Sequence, residues 1–262
     1  MIKIATPISH FFKSSEYSKQ LIEISDCLEC RDSTIENDSP NQELFHCELQ
    51  PIHELKHEDF SYLESIKTSK KDLKLITFHL ATSCSKPSID TSKLKSGVFQ
   101  SGGYTYEKNE MLSNAKKNFS VIKKIFGDEI KVAVENNNYY PTKAYNHIAD
   151  AEFINDVVTQ NDLYFLFDIA HSKITAFNKK LLWEEYKAKL PLERIIQLHI
   201  CSHDTDPVSN LAFDAHNYPD KFEIQEVKKL INNYSQIEYL TVEFYRDING
   251  LVKSIKSIKK LL

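Results

Sequence analysis

Between residues 130 and 201 the chain carries three short apolar runs, IKVAVEN (130–136), LYFLFDIA (163–170) and RIIQLHIC (194–201). Polar segments with helical spacing separate them, such as DAEFINDVVTQN (150–161), in which Asp150 is suited to cap the helix N-terminus. Apolar runs that alternate with helical segments are typical of βα units on a parallel sheet. This central part of the chain therefore predicts an α/β fold.

The same alternation continues in both directions along the chain. Five further candidate strands bring the total to eight: IKIAT (2–6), DCLEC (26–30), LFHCEL (44–49), LKLITFHLA (73–81) and YLTVEFY (239–245). One of the helices between them, MLSNAKKNFSVIKKIFG (111–127), ends at a glycine suited to a C-terminal cap. Because α/β barrels run to about 250 residues as one domain, we predict a single (β/α)8 TIM barrel over residues 1–262.

Composition narrows the class of protein. A chain with 41% hydrophobic and 27% charged residues is expected to bury a substantial core. The net charge of -4 and the absence of a long Lys/Arg run disfavour nucleic acid as a partner. The sequence has no signal-peptide pattern and no long apolar span, so we expect a cytoplasmic protein that does not bind a membrane.

The five cysteines are an odd number scattered over a long chain, which favours reduced thiols over a disulfide framework. Cys27 and Cys30 form a lone C-x-x-C within a strand-like run, and we expect them to be structural. Cys201 shares strand parity with His199, but a small apolar filler is its expected role. The irregular stretch 84–109 follows a strand and is interpreted either as a loop over the substrate or as a plain insertion.

Histidine and acidic residues fall at the ends of the candidate strands. Six strands each deliver one such side chain to the same end of the barrel: His46, His79, Glu135, Asp168, His199 and Glu243. Three more follow nearby, His171 in D-x-x-H after the sixth strand and Asp214 and His216 in D-x-H after the seventh. His10, His53, His57 and His147 lie outside this register and are expected to be surface or structural residues.

Taken singly, each of these residues is more often a helix cap, an ion-pair partner or a core histidine. Together they imply a metal site, because burying several carboxylates and imidazoles side by side is costly unless cations neutralise them. The donors are nitrogen and oxygen atoms, which suit iron, manganese or zinc. We therefore expect two or three metal ions, with the choice of metal left open.

These motifs resemble the xylose-isomerase-like barrels, including endonuclease IV, whose trinuclear site uses the same kinds of residue in the same order. The closer resemblance is to the multinuclear non-heme iron-dependent oxidative enzymes. It rests on ITFHLATS, VAVENNNYY, LFDIAHSKITAFN, LPLERIIQLHICSH and LAFDAHNYPD, and covers residues 44–245. Three positions depart from that family: Asn137 replaces a proline, Ser202 replaces a glycine, and His171 stands where many members carry asparagine.

The resemblance implies a mixed-valent iron cluster that uses dioxygen to oxidise a cysteine-containing peptide, with a separate partner protein presenting the peptide. In that interpretation the strand-end residues, Asp214 and His216 bind metal, while His171 and His203 bind metal or move protons. One alternative is a zinc- or manganese-dependent hydrolase or sugar isomerase/epimerase of the same superfamily. A second alternative is a non-catalytic metal-binding barrel.

Overall fold

The computed structural model describes residues 2–92, 94 and 96–261, and its strands close into a barrel. In chain order the strands are β1 (Lys3–Pro7), β2 (Cys27–Arg31), β3 (Leu44–Cys47), β4 (Leu75–His79), β5 (Ser88–Asp90), β6 (Val98–Gln100), β7 (Lys131–Glu135), β8 (Tyr164–Asp168), β9 (Ile195–Ile200), β10 (Ser202–Thr205), β11 (Ala212–Asn217) and β12 (Tyr239–Val242). The barrel order is β1-β12-β9-β8-β7-β4-β3-β2, and every neighbouring pair is parallel. All eight predicted strands are present, so the predicted barrel is confirmed.

Helices fill the connections between the barrel strands. They are α1 (Ser15–Ile24), α2 (His57–Ser69), α3 (Lys108–Phe126), α4 (Ala151–Gln160), α5 (Ile169–Asn178), α6 (Trp183–Lys187), α7 (Lys221–Asn233) and α8 (Ile248–Lys259), with short 3-10 helices at His10–Lys13, Asp32–Thr34, Lys143–Tyr145 and Leu192–Arg194. In α3, Met111, Ala115, Phe119, Ile122 and Phe126 recur at helical spacing and are buried. This apolar stripe packs into the main hydrophobic core.

Two predicted helix ends have different outcomes. Gly127 ends α3 with φ 70°, a left-handed conformation that glycine adopts without steric cost. Asp150 stands at the N-cap of α4, as predicted, but its side chain makes no capping hydrogen bond. It pairs with the ammonium of Lys179 instead. A cationic partner therefore competes successfully with the backbone N–H groups for this carboxylate.

Two antiparallel hairpins accompany the barrel, β5 with β6 and β10 with β11. The sequence patterns did not predict these strands. The first hairpin lies in the predicted irregular stretch 84–109, whose base is tied by a bridge between Cys84 and Thr105. The second hairpin follows β9 and carries Asp214 and His216. Loops after barrel strands build the carboxyl-terminal mouth, so both hairpins are placed where a substrate would enter.

The barrel interior changes character from bottom to top, because alternate residues of a strand share one face. On β4 the bottom, middle and top layers are formed by Leu75, Thr77 and His79. On β12 and the residue after it, the same three layers are formed by Tyr239, Thr241 and Glu243. The lowest layer belongs to a small apolar cluster that also includes Cys27, Leu44 and Ala133. The apolar floor and the polar middle layer thus lie beneath the candidate ligands.

The described cysteines are all buried and none is in a disulfide, in agreement with the predicted reduced state. In the part of the chain that the structure describes, every helix is too short or too polar to cross a bilayer.

Candidate metal centre

The structure brings the six predicted strand-end residues together at the carboxyl-terminal mouth of the barrel. His46, Glu135, Asp168, His199 and Glu243 are buried, and His79 is 27% exposed at the edge of the cluster. Neighbouring strands hold them in register, since His79 of β4 pairs with Glu135 of β7 and Asp168 of β8 pairs with His199 of β9. Glu243 follows the last residue of β12, and its backbone N–H donates to the carbonyl of Ile200.

The first donor group is centred on one oxygen of Glu135. Its Oε2 atom lies 3.1 Å from Nε2 of His46 and 3.2 Å from Nδ1 of His79. The two imidazole rings stack with their centroids 4.3 Å apart. Two donors that each lie about 2.1 Å from a shared ion are roughly 3 to 3.5 Å apart, so this spacing fits a bound metal.

The second donor group is centred on Nδ1 of His199. This nitrogen lies 3.3 Å from Oε2 of Glu243, 3.5 Å from Oε1 of Glu135 and 3.9 Å from Oδ2 of Asp168. The donor atoms of Glu135, Asp168 and His199 all lie within 4.8 Å of one another. Glu135 thus offers Oε2 to the first donor group and Oε1 to the second, so its two oxygens would be available to different ions.

The third donor group is looser and involves the hairpin. Oδ2 of Asp214 lies 3.0 Å from Nε2 of His216 and 3.5 Å from Nε2 of His171. His216 adopts φ 43°, a left-handed conformation that is uncommon for a residue other than glycine. Such conformations recur at functional sites, where surrounding contacts hold them. The structure thus places all nine predicted ligands in one continuous cluster.

Several buried atoms of this cluster have no hydrogen-bond partner in the described part of the protein. They are both ring nitrogens of His46, both carboxylate oxygens of Glu135, Oδ2 of Asp168 and Nδ1 of His199. An unpaired buried polar atom costs roughly 1 to 3 kcal/mol, so such a concentration needs compensation. Cations bound between these lone pairs would supply it, and the donor set therefore fits a group of metal ions.

Glu29, on β2, supports the cluster and was not predicted. Its Oε2 atom accepts hydrogen bonds from Nε2 of Gln197 at 2.7 Å, Nε2 of His199 at 2.9 Å and Oγ1 of Thr241 at 3.0 Å. The donor atoms of Glu29, His46 and His199 also lie within 4.8 Å of one another. Because its oxygens are already engaged, we assign it a positioning role: it fixes His199 with Nδ1 turned to the second donor group.

Arg31, at the end of β2, controls the orientation of Glu243. Its guanidinium donates to Oε1 of Glu243 and, at 2.8 Å, to Oε1 of Glu29. The hydroxyl of Tyr245 donates to the same Oε1 of Glu243 at 3.2 Å. One oxygen of Glu243 is thereby held by the protein, which leaves Oε2 to face His199. A sequence signal exists, because Glu29 and Arg31 alternate with the apolar residues Leu28 and Cys30 along β2 and so share one face of the strand.

Asn136, directly after β7, fixes the segment that carries Asp168 and His171. Its side-chain amide donates to the carbonyl of Asp168 and accepts the Asp168 N–H, both at 2.9 Å. Its own carbonyl accepts from Nδ1 of His171 at 3.0 Å. This contact leaves Nε2 of His171 free to face Asp214. The backbone N–H of His171 donates to Oδ1 of Asp168 at 2.7 Å, so Asp168 also caps α5.

The imidazoles and carboxylates of the cluster shift one another's pKa values. Burial opposes ionisation of Glu135, but the imidazoles of His46 and His171 outweigh it and hold the Glu135 pKa below its ordinary value. Burial, followed by the positive field of His46, lowers the pKa of His79 to about 3. His79 is therefore neutral at neutral pH and binds metal without losing a proton.

Asp168 behaves in the opposite way. Burial raises its pKa to about 7, and the nearby carboxylates of Glu135 and Glu243 act in the same direction. Burial works against protonation of His171 and His199, yet the surrounding carboxylates raise the pKa of both imidazoles well above the ordinary value. A metal ion that binds here must therefore displace protons from Asp168 and from these histidines.

His203, predicted as a catalytic residue, lies on β10 beside the cluster. Its ring nitrogen Nδ1 is buried without a hydrogen-bond partner in the described protein, and burial lowers the pKa of the imidazole. The charge of Asp214 acts on this imidazole, but the described residues give it no hydrogen bond or ion pair to a candidate ligand, and its catalytic role stays a prediction. Cys201 lies closer, with Sγ 3.5 Å from Oδ1 of Asp214, so it packs against a ligand candidate.

Two of the histidines expected to be surface or structural residues make contacts away from the cluster. His53 stacks on Tyr106 with ring centroids 4.8 Å apart, and its Nε2 lies 2.6 Å from the carbonyl of Thr82. His147 is paired with Asp150 at 3.7 Å. These contacts explain both residues without reference to the metal centre.

Residues 102–259 match the sequence model of a family described as RiPP precursor modification enzyme MbnB/TglH/ChrH. The chain belongs to this family. The resemblance to multinuclear iron enzymes drawn from the motifs is thereby confirmed at the level of the family. The matched region contains seven of the nine candidate ligands; His46 and His79 precede it.

Curated relatives are UPF0276 proteins. One from Caulobacter vibrioides is 29% identical over 91 residues, which is 35% of this chain and 32% of that protein. Another, from Neisseria meningitidis serogroup B, is 26% identical over 122 residues, which is 44% of this chain and 42% of that protein. The matches thus span 32% and 42% of the length of these two relatives.

Similar solved structures share the whole barrel at low sequence identity. A 3-keto-D-glucoside 4-epimerase from E. coli has a TM-score of 0.64 at 14% identity and covers 99% of this chain and 100% of its own. Endonuclease IV from Thermus thermophilus has a TM-score of 0.58 at 10% identity, with 99% and 100% coverage. A xylose isomerase-like TIM barrel protein from Mycobacterium smegmatis has a TM-score of 0.57 at 11% identity, with 100% and 96% coverage. These similarities confirm the xylose-isomerase-like fold.

Proposed function

We propose that this protein is a multinuclear iron-dependent oxidase that uses dioxygen to modify a cysteine-containing peptide. The observation that carries the proposal is the placement of Glu135, whose two buried oxygens face two different groups of donors. A carboxylate in that position suits two ions held side by side. Membership of a peptide-modifying family supports a peptide as the substrate.

Iron suits a donor set made of imidazoles and carboxylates. When bound, iron would supply one-electron redox chemistry and positions for dioxygen and a substrate thiolate. His46, His79 and Glu135 would hold one ion, and Glu135, Asp168, His199 and Glu243 a second. His171, Asp214 and His216 are placed for a third.

The remaining residues keep these ligands in position and limit access. Glu29 and Arg31 fix His199 and Glu243 from below and from the side. On the open side, a cavity of about 170 Å³ borders Asp214 and is lined by Tyr140, Tyr145 and Phe99. Because this cavity lies between the first hairpin and Asp214, we propose it as the entry for a peptide side chain.

We further propose that a separate partner protein presents the peptide, as the family resemblance implies. The negative net charge supports a protein or peptide partner over nucleic acid, since a nucleic-acid site needs a positive surface.

The function is tested with protein loaded anaerobically with iron(II) and mixed with a cysteine-containing precursor peptide. Admission of dioxygen should change the peptide mass. With zinc-loaded protein, or with the Glu135→Gln variant, the peptide mass should stay unchanged. A matched control is Glu16→Gln, which alters an exposed carboxylate on α1. An unchanged peptide mass with verified iron loading and the partner protein present would count against the proposal.

One observation favours a second candidate, a single-metal sugar isomerase or epimerase. Glu135, Asp168 and His199 alone place three donors within 4.8 Å of one another, which is sufficient for one divalent ion. In such an enzyme the ion would polarise a sugar carbonyl. The convergence of His46 and His79 on Oε2 of Glu135 argues for the first candidate, because a single ion in the second group makes no use of these donors. Proton exchange at a sugar carbon with manganese-loaded protein would support the second candidate.

A further inference from the structure

A second cavity opens on the other side of the barrel mouth, where β1, β2 and β12 end. It has a volume of about 330 Å³ and is lined by Lys13 and His10 from the segment after β1, by Arg31 of β2 and by Tyr245 after β12. In the barrel order β7 is four strands from β1. The cavity near Asp214 includes Asn138 and Tyr140, which follow β7. The two cavities therefore flank the metal centre from opposite sides.

The charged side chains that line this second cavity are Lys13 and Arg31, and the two carboxylates paired with Arg31 lie behind it, toward the metal centre. Lys13 and His10 are exposed, and the described residues offer neither of them an ion pair. Within the described chain, no aspartate or glutamate lines the cavity. The adjacent Asp32 is turned elsewhere, because Oδ1 accepts from the Tyr62 hydroxyl and Oδ2 accepts from the Glu48 backbone N–H.

Arg31 forms the wall between this cavity and the metal centre. Its Nε and Nη2 atoms bind Glu29, and Nη2 also binds Glu243. The Nη1 donors have no hydrogen-bond partner among the residues that the structure describes, and 27% of the side chain is exposed. A guanidinium with free donors at the edge of a cavity is a good site for a carboxylate. An anion bound there would be separated from the candidate ligand Glu243 by one side chain.

We propose that this cavity, lined by Lys13 and Arg31, binds a carboxylate of the peptide substrate and so fixes the direction in which the peptide crosses the metal centre. This inference rests on the proposed peptide-modifying function. The neutral, aromatic cavity beside Asp214 then receives the opposite part of the peptide. The carboxylate belongs either to an acidic side chain or to the peptide C-terminus, and both sources share the same chemistry.

The test uses four fluorescent cysteine-containing peptides of equal length. Two have a blocked C-terminus and differ by one Asp or Asn beside the cysteine; two lack acidic side chains and end in a free carboxylate or a carboxamide. Affinity for the anaerobic, metal-loaded protein is measured by fluorescence anisotropy. We expect one acidic peptide to bind about threefold or more tightly than its neutral partner at low salt, and salt to reduce the difference.

Two charge-reversal variants test whether the preference for the acidic peptide arises at this cavity. Lys13→Glu should abolish or reverse the preference for the acidic peptide, whereas Lys19→Glu, an exposed lysine on α1 outside the cavity, should preserve it. Equal binding of acid and neutral peptides by the unmodified protein would overturn the inference, as would an unchanged preference in Lys13→Glu. A preference that depends on Lys13, found together with no oxidation of any peptide by iron and dioxygen, would support the carboxylate site and contradict the proposed oxidase.

Discussion

The donors on barrel strands and the donors on the β10–β11 hairpin differ in how firmly they are held. Asp168 and His199 are fully buried: the Asp168 backbone is held by the Asn136 side chain just after β7, and the His199 imidazole is held across the barrel by Glu29 of β2. Asp214 and His216 have side-chain exposures of 13% and 31%, and the hairpin holds them with longer contacts, such as the 3.2 Å bond from the His216 N–H to Asp214. The strand donors therefore form a rigid base, and the hairpin donors form a more adaptable edge.

This difference indicates a division of roles. A rigid base favours tight binding of the first two ions, because little order is lost when metal binds. An adaptable edge suits an ion whose coordination changes when substrate enters. The substitutions below test whether the cluster divides in this way.

The largest effect is expected for Glu135→Gln. The amide keeps the shape of the side chain but removes the charge and one of two oxygens that face different donor groups. Since loss of a supporting residue alone costs a metal site about 10- to 100-fold, loss of the bridging ligand should cost at least about 100-fold in activity. Metal analysis should show reduced loading with an unchanged circular dichroism spectrum. If the variant binds the full amount of metal and turns over normally, Glu135 is not shared between two ions.

Glu29→Gln tests the base of the site without touching a proposed ligand. The substitution removes the negative charge that holds His199 Nε2, so we expect activity or metal affinity to fall about 10- to 100-fold. The matched comparison is Glu43→Gln, which changes a carboxylate paired with Lys3. If both variants behave like the unmodified protein, the base does not depend on Glu29.

His171→Asn tests the boundary between base and edge. His171 faces Asp214 through Nε2, and asparagine binds first-row metals far less well than a neutral imidazole. We expect the loss of about one metal equivalent per chain, with the other ions retained. Full occupancy combined with a changed affinity or rate would instead mean that His171 acts by hydrogen bonding to a ligand.

The smallest effect is a dependence of metal uptake on pH. In the metal-free protein the Asp168 pKa is raised to about 7, so below that pH its proton competes with the metal. As pH rises through about 7 the proton is released, and affinity for the second donor group should increase. The metal affinity is measured at a series of pH values on both sides of 7 by competition with a coloured chelator. Affinity that is independent of pH would mean that Asp168 does not bind the metal.

The sequence predicted most of the base because its signal is local. Strand periodicity and the position of each His, Glu or Asp at a strand end were sufficient to place His79, Glu135 and Asp168. The D-x-H motif likewise indicated Asp214 and His216, although the hairpin that carries them was not predicted. Those short strands are only half-buried, so they lack a continuous apolar run.

The supporting residues escaped prediction because their partners are distant in sequence. Glu29 contacts His199 and Arg31 contacts Glu243, which are separated by 170 and 212 positions. Such contacts depend on the strand order and register of the closed barrel, which the local pattern does not contain. For the same reason Asp150 was expected to cap α4, whereas the fold offers it Lys179 as a partner.

The most direct test of the multinuclear iron centre is the metal content of protein purified without added metal, combined with electron paramagnetic resonance spectra before and after mild oxidation. A multinuclear iron centre should give two or three iron ions per chain and a signal from coupled iron. One ion per chain that remains magnetically isolated, with His46→Ala leaving that content unchanged, would contradict it.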